Sequence, residues 1–167
     1  MVMGPAPSTK RIGELLVERG VITRTQLDEA LIQQRSSKEF LGAILVRVGA
    51  ITEQALLETL SQRYGIPHEP LDLARVDWNL AGRFPDAVLT EGKGFPIRAD
   101  DATVMVAIVN PLDAWTLSAF QRSAGARIVK PVLVLERELQ AVLREHKQQR
   151  LRAIAARLNG HGSGKTQ

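Results

Sequence analysis

Apolar residues recur at helical spacing through the first seventy positions, and they do so in two copies. Residues 12–31 and 41–60 align at an offset of 29, and the matched positions are apolar residues, glycines or threonines. In the first copy the apolar stripe ends at Gly20, a residue type that commonly ends helices in the left-handed conformation. Thr23 and Gln26 then form a capping-box pattern, which predicts that a second helix starts there.

The second copy carries the same signals. Its apolar stripe ends at Gly49, Thr52 is suited to cap the next helix, and the Tyr-Gly-Ile-Pro run at residues 64–67 stops the helical region. The two copies therefore predict a four-helix subdomain over residues 10–67, built from two helix-turn-helix repeats. We expect a flexible N-terminus before it, over residues 1–9.

Beyond residue 67 the pattern changes to short apolar runs, which favour strands separated by turns and helices. The predicted elements are a β-hairpin over residues 95–98 and 103–109, a helix over 115–124, a strand over 127–133 and a long helix from 135 to about 158. Pro131 has no N–H to donate, so we expect its strand at an edge of the sheet. The predicted fold class is α+β: the four-helix subdomain is followed by a small α/β subdomain over residues 68–143 and a basic helical extension and flexible tail over 144–167.

The composition is that of a globular chain, with 44% hydrophobic and 24% charged residues in a length of 167. The net charge is +4, but residues 1–143 carry −1 and residues 144–167 carry +5. The folded part is therefore not expected to bind nucleic acid, and DNA binding through the basic tail is kept as an alternative. The helix-turn-helix units themselves are poorly suited to bind DNA, because acidic residues near the start of their second helices would repel its phosphates. These residues are Asp28, Glu29, Glu53 and Glu58.

Cysteine is absent, which excludes a disulfide framework and a thiolate metal site and fits a reducing compartment. The first residues lack the apolar core of a secretion signal, and no apolar run is long enough to cross a membrane. We therefore predict a cytoplasmic location and no membrane span.

No residue pattern argues for catalysis. His68, His146 and His161 are far apart in the sequence and do not have metal-ligand spacing. Residues 160–166 resemble a phosphate-binding loop, but Asn159 stands where the first glycine is needed and no helix follows. We predict a non-enzymatic chain that uses no cofactor or metal and that lacks an ATPase module.

The tandem spacing resembles a motif that occurs twice in the MshEN-type domain, the N-terminal domain of the assembly ATPases of type II secretion and type IV pili. The residues that carry the resemblance are Arg11-Ile12-Gly13, Leu16-Val17, Gly20, Val21-Ile22, Leu27, Leu31 and Gln34, followed after six residues by Leu41-Gly42 and the same spacing. Residues 65–67, 95–97 and 107–113 resemble the second, α/β part of that family. The resemblance covers about residues 10–145.

In that family the two motifs form a binding surface for cyclic di-GMP, so the resemblance implies this ligand. It implies that Arg11 contacts guanine, that Gly13 and Gly42 let the backbone approach the ligand, and that Gln34 reads a guanine edge. The full set of ligand-binding residues that it implies is Arg11, Ile12, Gly13, Leu16, Gly20, Val21, Leu27, Leu31, Gln34, Leu41, Gly42, Leu45, Gly49, Leu56, Leu60, Arg63 and Asp113.

The sequence departs from the family pattern at the end of the second copy, where Arg63 replaces the final glutamine and Gln62 lies one residue early. An arginine still reaches guanine or phosphate, so the departure bears on affinity or selectivity. Asp113 has two interpretations, as a cap of the following helix or as an additional ligand contact.

Two functional hypotheses follow. The first is a cyclic di-GMP sensor that passes the signal to a protein partner of a secretion, pilus or motility machine. The second is an adaptor that docks on a membrane-complex subunit of such a machine without nucleotide. Arg63 favours the second hypothesis, whereas Arg11, Gly13 and Gln34 favour the first.

The long last helix carries two groups of apolar residues. We expect the group at Leu139, Val142 and Leu143 to pack on the domain. A second group is flanked by arginines and comprises Leu151, Ile154, Ala155 and Leu158. It fits a dimer contact, a partner-binding helix or a weak contact with an anionic membrane, and the alternative is a solvated basic extension.

Overall fold

The computed structural model describes residues 11–91 and 93–160 and divides into two units, Met1–Glu69 and Pro70–Gln167. The expected flexible N-terminus over residues 1–9 lies outside the described residues. So do residues 161–167, which hold most of the loop-like glycine run of the tail.

The first unit contains the two predicted helix-turn-helix repeats. The first repeat consists of α1 (Ile12–Glu18) and α2 (Arg24–Ser36), and the second consists of α3 (Leu41–Arg47) and α4 (Glu53–Tyr64). The helical prediction for this part of the chain is confirmed.

Capping interactions set the turn inside each repeat. Gly20 and Gly49 have φ angles of 68° and 73°, which a residue with a side chain rarely adopts. Thr23 and Gln26 exchange side chain-to-backbone hydrogen bonds of 2.8 and 3.2 Å, completing a capping box at the start of α2. Thr52 caps α4 with its side-chain oxygen. Both turns therefore follow from local sequence.

The core of the first unit is built from equivalent residues of the two repeats. Leu16 and Leu45 occupy the same place in their copies and are both fully buried. The buried cluster consists of Leu16, Ile22, Leu27, Ala30, Ile44, Leu45 and Ile51. Neither repeat encloses this core alone, so each stabilises the other.

The second unit holds a three-stranded sheet and its helices. In chain order its elements are a 3-10 helix (Leu73–Arg75), α5 (Trp78–Ala81), α6 (Asp86–Glu91), β1 (Gly94–Ala99), β2 (Thr103–Ile108), α7 (Ala114–Ser123), β3 (Ile128–Leu133) and α8 (Glu136–Gly160). The sequence predicts the hairpin, α7, β3 and α8, but not the three short helices before β1. Asp72 and Asp77 cap the first two of these short helices.

The sheet has the order β1-β2-β3, with β2 antiparallel to β1 and parallel to β3. A parallel pair needs a crossover connection, and α7 supplies it. Phe95, Phe120 and Leu133 are fully buried in the core between the sheet and its helices. The α+β fold class, with a long C-terminal helix, is confirmed.

Strand β3 lies at an edge of the sheet, as Pro131 predicts. The side chain of Gln121 covers the outer side of this strand, since its Nε2 donates to the Arg127 carbonyl and its Oε1 accepts from the Val129 N–H, both at 2.9 Å. One side-chain amide thereby takes the place of a peptide unit from a fourth strand.

Helix α8 packs on the second unit along its first half only. Leu139 and Val142 are buried, whereas residues 151–159 are exposed. At the end of the packed part, Arg150 forms a bidentate ion pair with Asp86, in which both nitrogen–oxygen distances are 2.7 Å. None of the helices in the described ranges has the length and apolarity that crossing a bilayer requires.

Candidate functional site

The two repeats are joined by reciprocal hydrogen bonds. Gln33 and Gln62 occupy the same position in their copies, at the offset of 29. Arg19, after α1, donates to the Gln62 Oε1 at 2.6 Å, and Arg47, at the end of α3, donates to the Gln33 Oε1 at 3.2 Å. Each second helix is thus tied to the first helix of the other repeat, which is the pattern of an approximate two-fold relation.

The two motif glycines lie where the helices of one repeat touch. A Cβ atom on Gly13 would lie 2.5 Å from the Leu27 Cδ1 and 3.0 Å from the Leu41 Cδ2. A Cβ on Gly42 would lie 2.9 Å from the Leu56 Cδ2. The structure therefore gives these glycines a packing role, whether or not their backbone also approaches a ligand.

The residues implied by the family resemblance divide by burial. The buried ones are Gly13, Leu16, Leu27, Leu45 and Leu60; the half-buried ones are Ile12, Gln34, Leu41, Gly42, Leu56, Arg63 and Asp113; the exposed ones are Arg11, Gly20, Val21, Leu31 and Gly49. The buried leucines offer almost no surface. Apolar contact with a ligand is therefore left to Val21, Leu31 and the half-buried residues.

Three polar residues of the first unit present chemistry suited to a nucleotide. Arg11 is exposed at the N-cap position of α1. Gln34 donates from its Nε2 to the Glu39 carbonyl at 3.2 Å, which leaves its oxygen available as an acceptor. The Arg63 guanidinium lies 5.6 Å from the centre of the Tyr64 ring, and its Nε is buried without a hydrogen-bond partner in the described part of the chain.

The repeat offset reveals one further position that sequence reasoning missed. Phe40 stands in the second copy where Arg11 stands in the first, and both residues occupy the N-cap position of their helix. Because Arg63 is the counterpart of Gln34, each copy contributes one arginine, at opposite ends of the motif. The sequence does contain the signal for Phe40, because extending the 29-residue offset to Arg11, one residue before Ile12, leads to position 40.

Asp113, the one implied ligand residue in the second unit, caps α7. Its Oδ1 accepts from the Thr116 N–H at 3.0 Å and its Oδ2 accepts from the Thr116 hydroxyl at 2.9 Å. Both carboxylate oxygens are engaged, so the structure supports the capping interpretation. Nearby, the Asn110 Nδ2 is buried without a partner among the described residues.

Two ionisable groups of the second unit have clearly shifted pKa values. Burial lowers the pKa of His146, the charge of Arg150 lowers it further, and Asp86 opposes the shift. Hydrogen bonds from the Thr103 hydroxyl and from two backbone N–H groups lower the pKa of Asp100. His146 packs edge-on against the Phe95 ring, with centroids 5.3 Å apart, and so is a packing residue. Within the described ranges no cluster of three or more candidate metal ligands occurs.

A family model described as the MshEN domain matches residues 64–153. This match begins at the last residue of α4 and runs into α8, so the tandem repeats precede it. It covers more than half of the chain.

Two solved structures extend the comparison. A structure of MshE with cdg has a TM-score of 0.72 and 27% identity to this chain, and the match covers 82% of this chain and 99% of that one. The second unit, residues 70–167, makes up a smaller share of this chain than the 82% that is matched. The match therefore includes part of the tandem repeats. The N-terminal domain of XpsE has a TM-score of 0.62 at 21% identity, over 85% of this chain and 97% of that one, which supports the fold alone.

Curated relatives are much longer than this chain. Bacteriophage adsorption protein B of Escherichia coli K12 is 29% identical over 143 residues, 86% of this chain and 19% of that protein. The type IV pilus assembly ATPase PilB of Thermus thermophilus is 28% identical over 139 residues, 82% of this chain and 16% of that protein. PilB of Myxococcus xanthus is 29% identical over 118 residues, 71% and 21% respectively. The chain spans about a fifth of the length of these relatives.

Proposed function

This chain belongs to the MshEN domain family, and on that premise we propose that its first unit binds cyclic di-GMP. The domain is non-catalytic and is distinct from the ATPase module of its pilus relatives. We propose that it acts as a second-messenger sensor related to type II secretion and type IV pilus systems.

The observation that carries the proposal is the tandem repeat itself, together with its likeness to MshE. The repeat has the spacing of the family's ligand motif, and the MshE structure that matches into this region contains cdg, the abbreviation for cyclic di-GMP. The MshE match thus links the repeat architecture to a cyclic dinucleotide.

The symmetry of the ligand agrees with the symmetry of the repeats. Cyclic di-GMP has two equal halves, each with a phosphate, a ribose and a guanine. The first unit has two similar copies of one motif, tied together by the Arg19–Gln62 and Arg47–Gln33 hydrogen bonds. A ligand that contacts both copies would fix the orientation of one copy relative to the other. A partner protein could sense a change in this orientation.

The polar residues suit the two halves of the ligand. We assign Arg11 and Arg63 to guanine or phosphate oxygens, since a guanidinium is a planar, multiple donor. Arg63 is half-buried, so part of its side chain is accessible to a ligand. Gln34 offers an amide to a guanine edge, and the exposed side chains of Val21 and Leu31 offer apolar surface.

The adaptor that docks on a membrane-complex subunit without nucleotide is the second candidate. The second copy favours it, because Phe40 and Arg63 replace the residue types that the first copy has at both ends of the motif. For either candidate we propose a cytoplasmic location, a protein partner from a secretion, pilus or motility machine, and no cofactor.

Calorimetric titration of the full chain with cyclic di-GMP tests the proposal. We expect saturable heat and a rise in melting temperature. If high micromolar ligand produces neither, the adaptor function is favoured and ligand binding is ruled out.

Single substitutions then locate the site. Arg11→Ala should weaken binding by about tenfold or more, the loss of a charge-assisted contact worth about 1.5–3 kcal/mol. Arg24→Ala is the matched control, because Arg24 is an exposed arginine of the same unit, ion-paired with Asp28 at 3.3 Å and outside the motif. Arg63→Gln restores the family residue and should retain or improve affinity. Equal weakening by Arg11→Ala and Arg24→Ala would mean that bulk charge, and not the motif, attracts the ligand.

A further inference from the structure

Residues 151–159, near the end of α8, are all exposed. Leu151, Ile154 and Leu158 are 57%, 49% and 72% exposed. They are spaced by three and four residues, so they form one apolar stripe along the helix.

The stripe is rotated from the side of α8 that packs on the second unit. Val142 and Leu139 are buried on that side. Leu151 follows Val142 by nine residues, which is about half a rotation beyond two full turns, whereas Ile154 follows Leu139 by fifteen residues, about a sixth of a rotation beyond four turns. The second unit leaves the stripe uncovered because α8 continues past the part that packs.

Basic residues border the stripe on both sides. Arg150 and Arg157 lie along one border and Arg152 along the other, and residues 146–160 contain no aspartate or glutamate. Asp86 neutralises Arg150 through the ion pair described above. The charged side chains of residues 146–160 are thus all positive, so we expect a surface that covers this face to be anionic.

The apolar stripe is too short for a helical partner. Continued towards the N-terminus by one heptad, its positions fall on Arg144 and Lys147. In a helix pair these two cations would lie inside the seam, and only three large apolar residues would remain, fewer than a stable coiled coil uses. On a lipid bilayer the same two cations would reach phosphate headgroups while the stripe enters the apolar layer.

We propose that residues 144–160 of α8 lie on the surface of an anionic lipid bilayer, with Leu151, Ile154 and Leu158 inserted and the arginines at the headgroups. The helix is already formed, so binding does not require a segment to fold. The contact uses no residue of the tandem repeats, so it can be tested without nucleotide.

Co-sedimentation of the full chain with vesicles tests this contact. The chain should bind vesicles of phosphatidylcholine mixed with phosphatidylglycerol, and it should bind pure phosphatidylcholine at least about tenfold more weakly. High salt should weaken binding to the anionic vesicles, since it screens the arginines. Absence of binding to the anionic vesicles at low salt would overturn the proposal.

Two double variants separate the stripe from bulk charge. L151E/I154E places two glutamates in the stripe, whereas A153E/A156E places the same two charges on exposed positions of the opposite face. The first should abolish vesicle binding and the second should reduce it only a few-fold, with melting temperatures close to that of the unmodified chain. Equal losses would overturn the proposal in favour of unspecific attraction. A solution dimer that L151E/I154E dissociates would overturn it in favour of a second copy as the partner.

Discussion

The two copies of the repeat keep their interiors and differ at their ends. Both copies turn at a glycine with a left-handed backbone, and both bury a leucine at the same place, Leu16 in one and Leu45 in the other. The copies differ in where they carry an arginine: the first copy has Arg11 at the start of the motif, and the second has Arg63 at its end.

This difference separates what folding requires from what binding requires. Most buried positions keep an apolar residue, and both second helices keep a capping threonine, because changing these residues costs stability whatever the domain binds. Positions such as Arg11 and Phe40 are at the surface of the first unit, where either residue type is compatible with the fold. The place where the copies diverge is therefore the place to look for function.

Truncation of the equivalent leucines should give the largest difference between the copies. Leu27 is 2% exposed, whereas its counterpart Leu56 is half-buried. Leu27→Ala should destabilise the protein by about 2–5 kcal/mol because it leaves a cavity in the core. Leu56→Ala should cost about 1–2 kcal/mol, since less apolar area is involved. Urea unfolding measures both, and equal costs would show that the copies are packed alike.

Addition of a methyl group to the motif glycines should give the next largest effect. Gly13→Ala brings the new atom within 2.5 Å of buried Leu27 and should cost about 1–3 kcal/mol. Gly42→Ala should cost less, because Leu56 is only half-buried and can move.

Gly20→Ala is the control for these two glycine variants. A Cβ there meets nothing within 4 Å, and the cost is only that of the left-handed backbone, about 1 kcal/mol. If Gly13→Ala is no more destabilising than Gly20→Ala, the assignment of Gly13 to a close contact between α1 and α2 is wrong.

Removal of the helix caps should produce smaller effects. Thr23→Ala and Thr52→Ala should each cost about 1 kcal/mol. The first repeat also has the reciprocal Gln26 bond, whose counterpart position in the second repeat is Ala55. Gln26→Ala should therefore lower the thermal midpoint slightly, and Ala55→Gln should not lower it. A lower midpoint for Ala55→Gln would mean that its environment rejects a longer side chain.

Mild acid should give the smallest effect, and it should act outside the repeats. Residues 11–63 contain no histidine. In the second unit the pKa of His146 is lowered by burial and by Arg150, so the folded state holds this proton less readily than the unfolded state. Stability is therefore lost as pH falls through the ordinary histidine pKa of about 6.5 and below.

The variant His146→Phe isolates this effect. It should keep the packing against Phe95 and flatten the decline of melting temperature with falling pH. An unchanged slope would assign the acid sensitivity to other groups.

Signals that lie within a few neighbouring residues predict the fold well. Gly20, Thr23 and Thr52 mark their helix ends by local chemistry, and the structure has those ends. The short helices before β1 escape prediction because each has only three to six residues, too few for a periodic pattern. Their capping aspartates, Asp72 and Asp77, are the signal that was available.

Contacts between distant residues explain what the sequence does not predict about the candidate site. The motif pattern gives Leu16 and Leu27 as ligand residues, but the pattern does not distinguish a leucine in the core from one at the surface. Only the fold shows that Gln33 and Gln62 tie the repeats together.

The side-chain amide of Gln121 has a consequence for solubility at high concentration. A sheet edge with free N–H and carbonyl groups is a template on which further copies can add and grow into fibrils. On β3 an incoming strand would have to displace this amide and would meet no N–H at Pro131. One glutamine and one proline thus protect this edge of the sheet from the addition of a further strand.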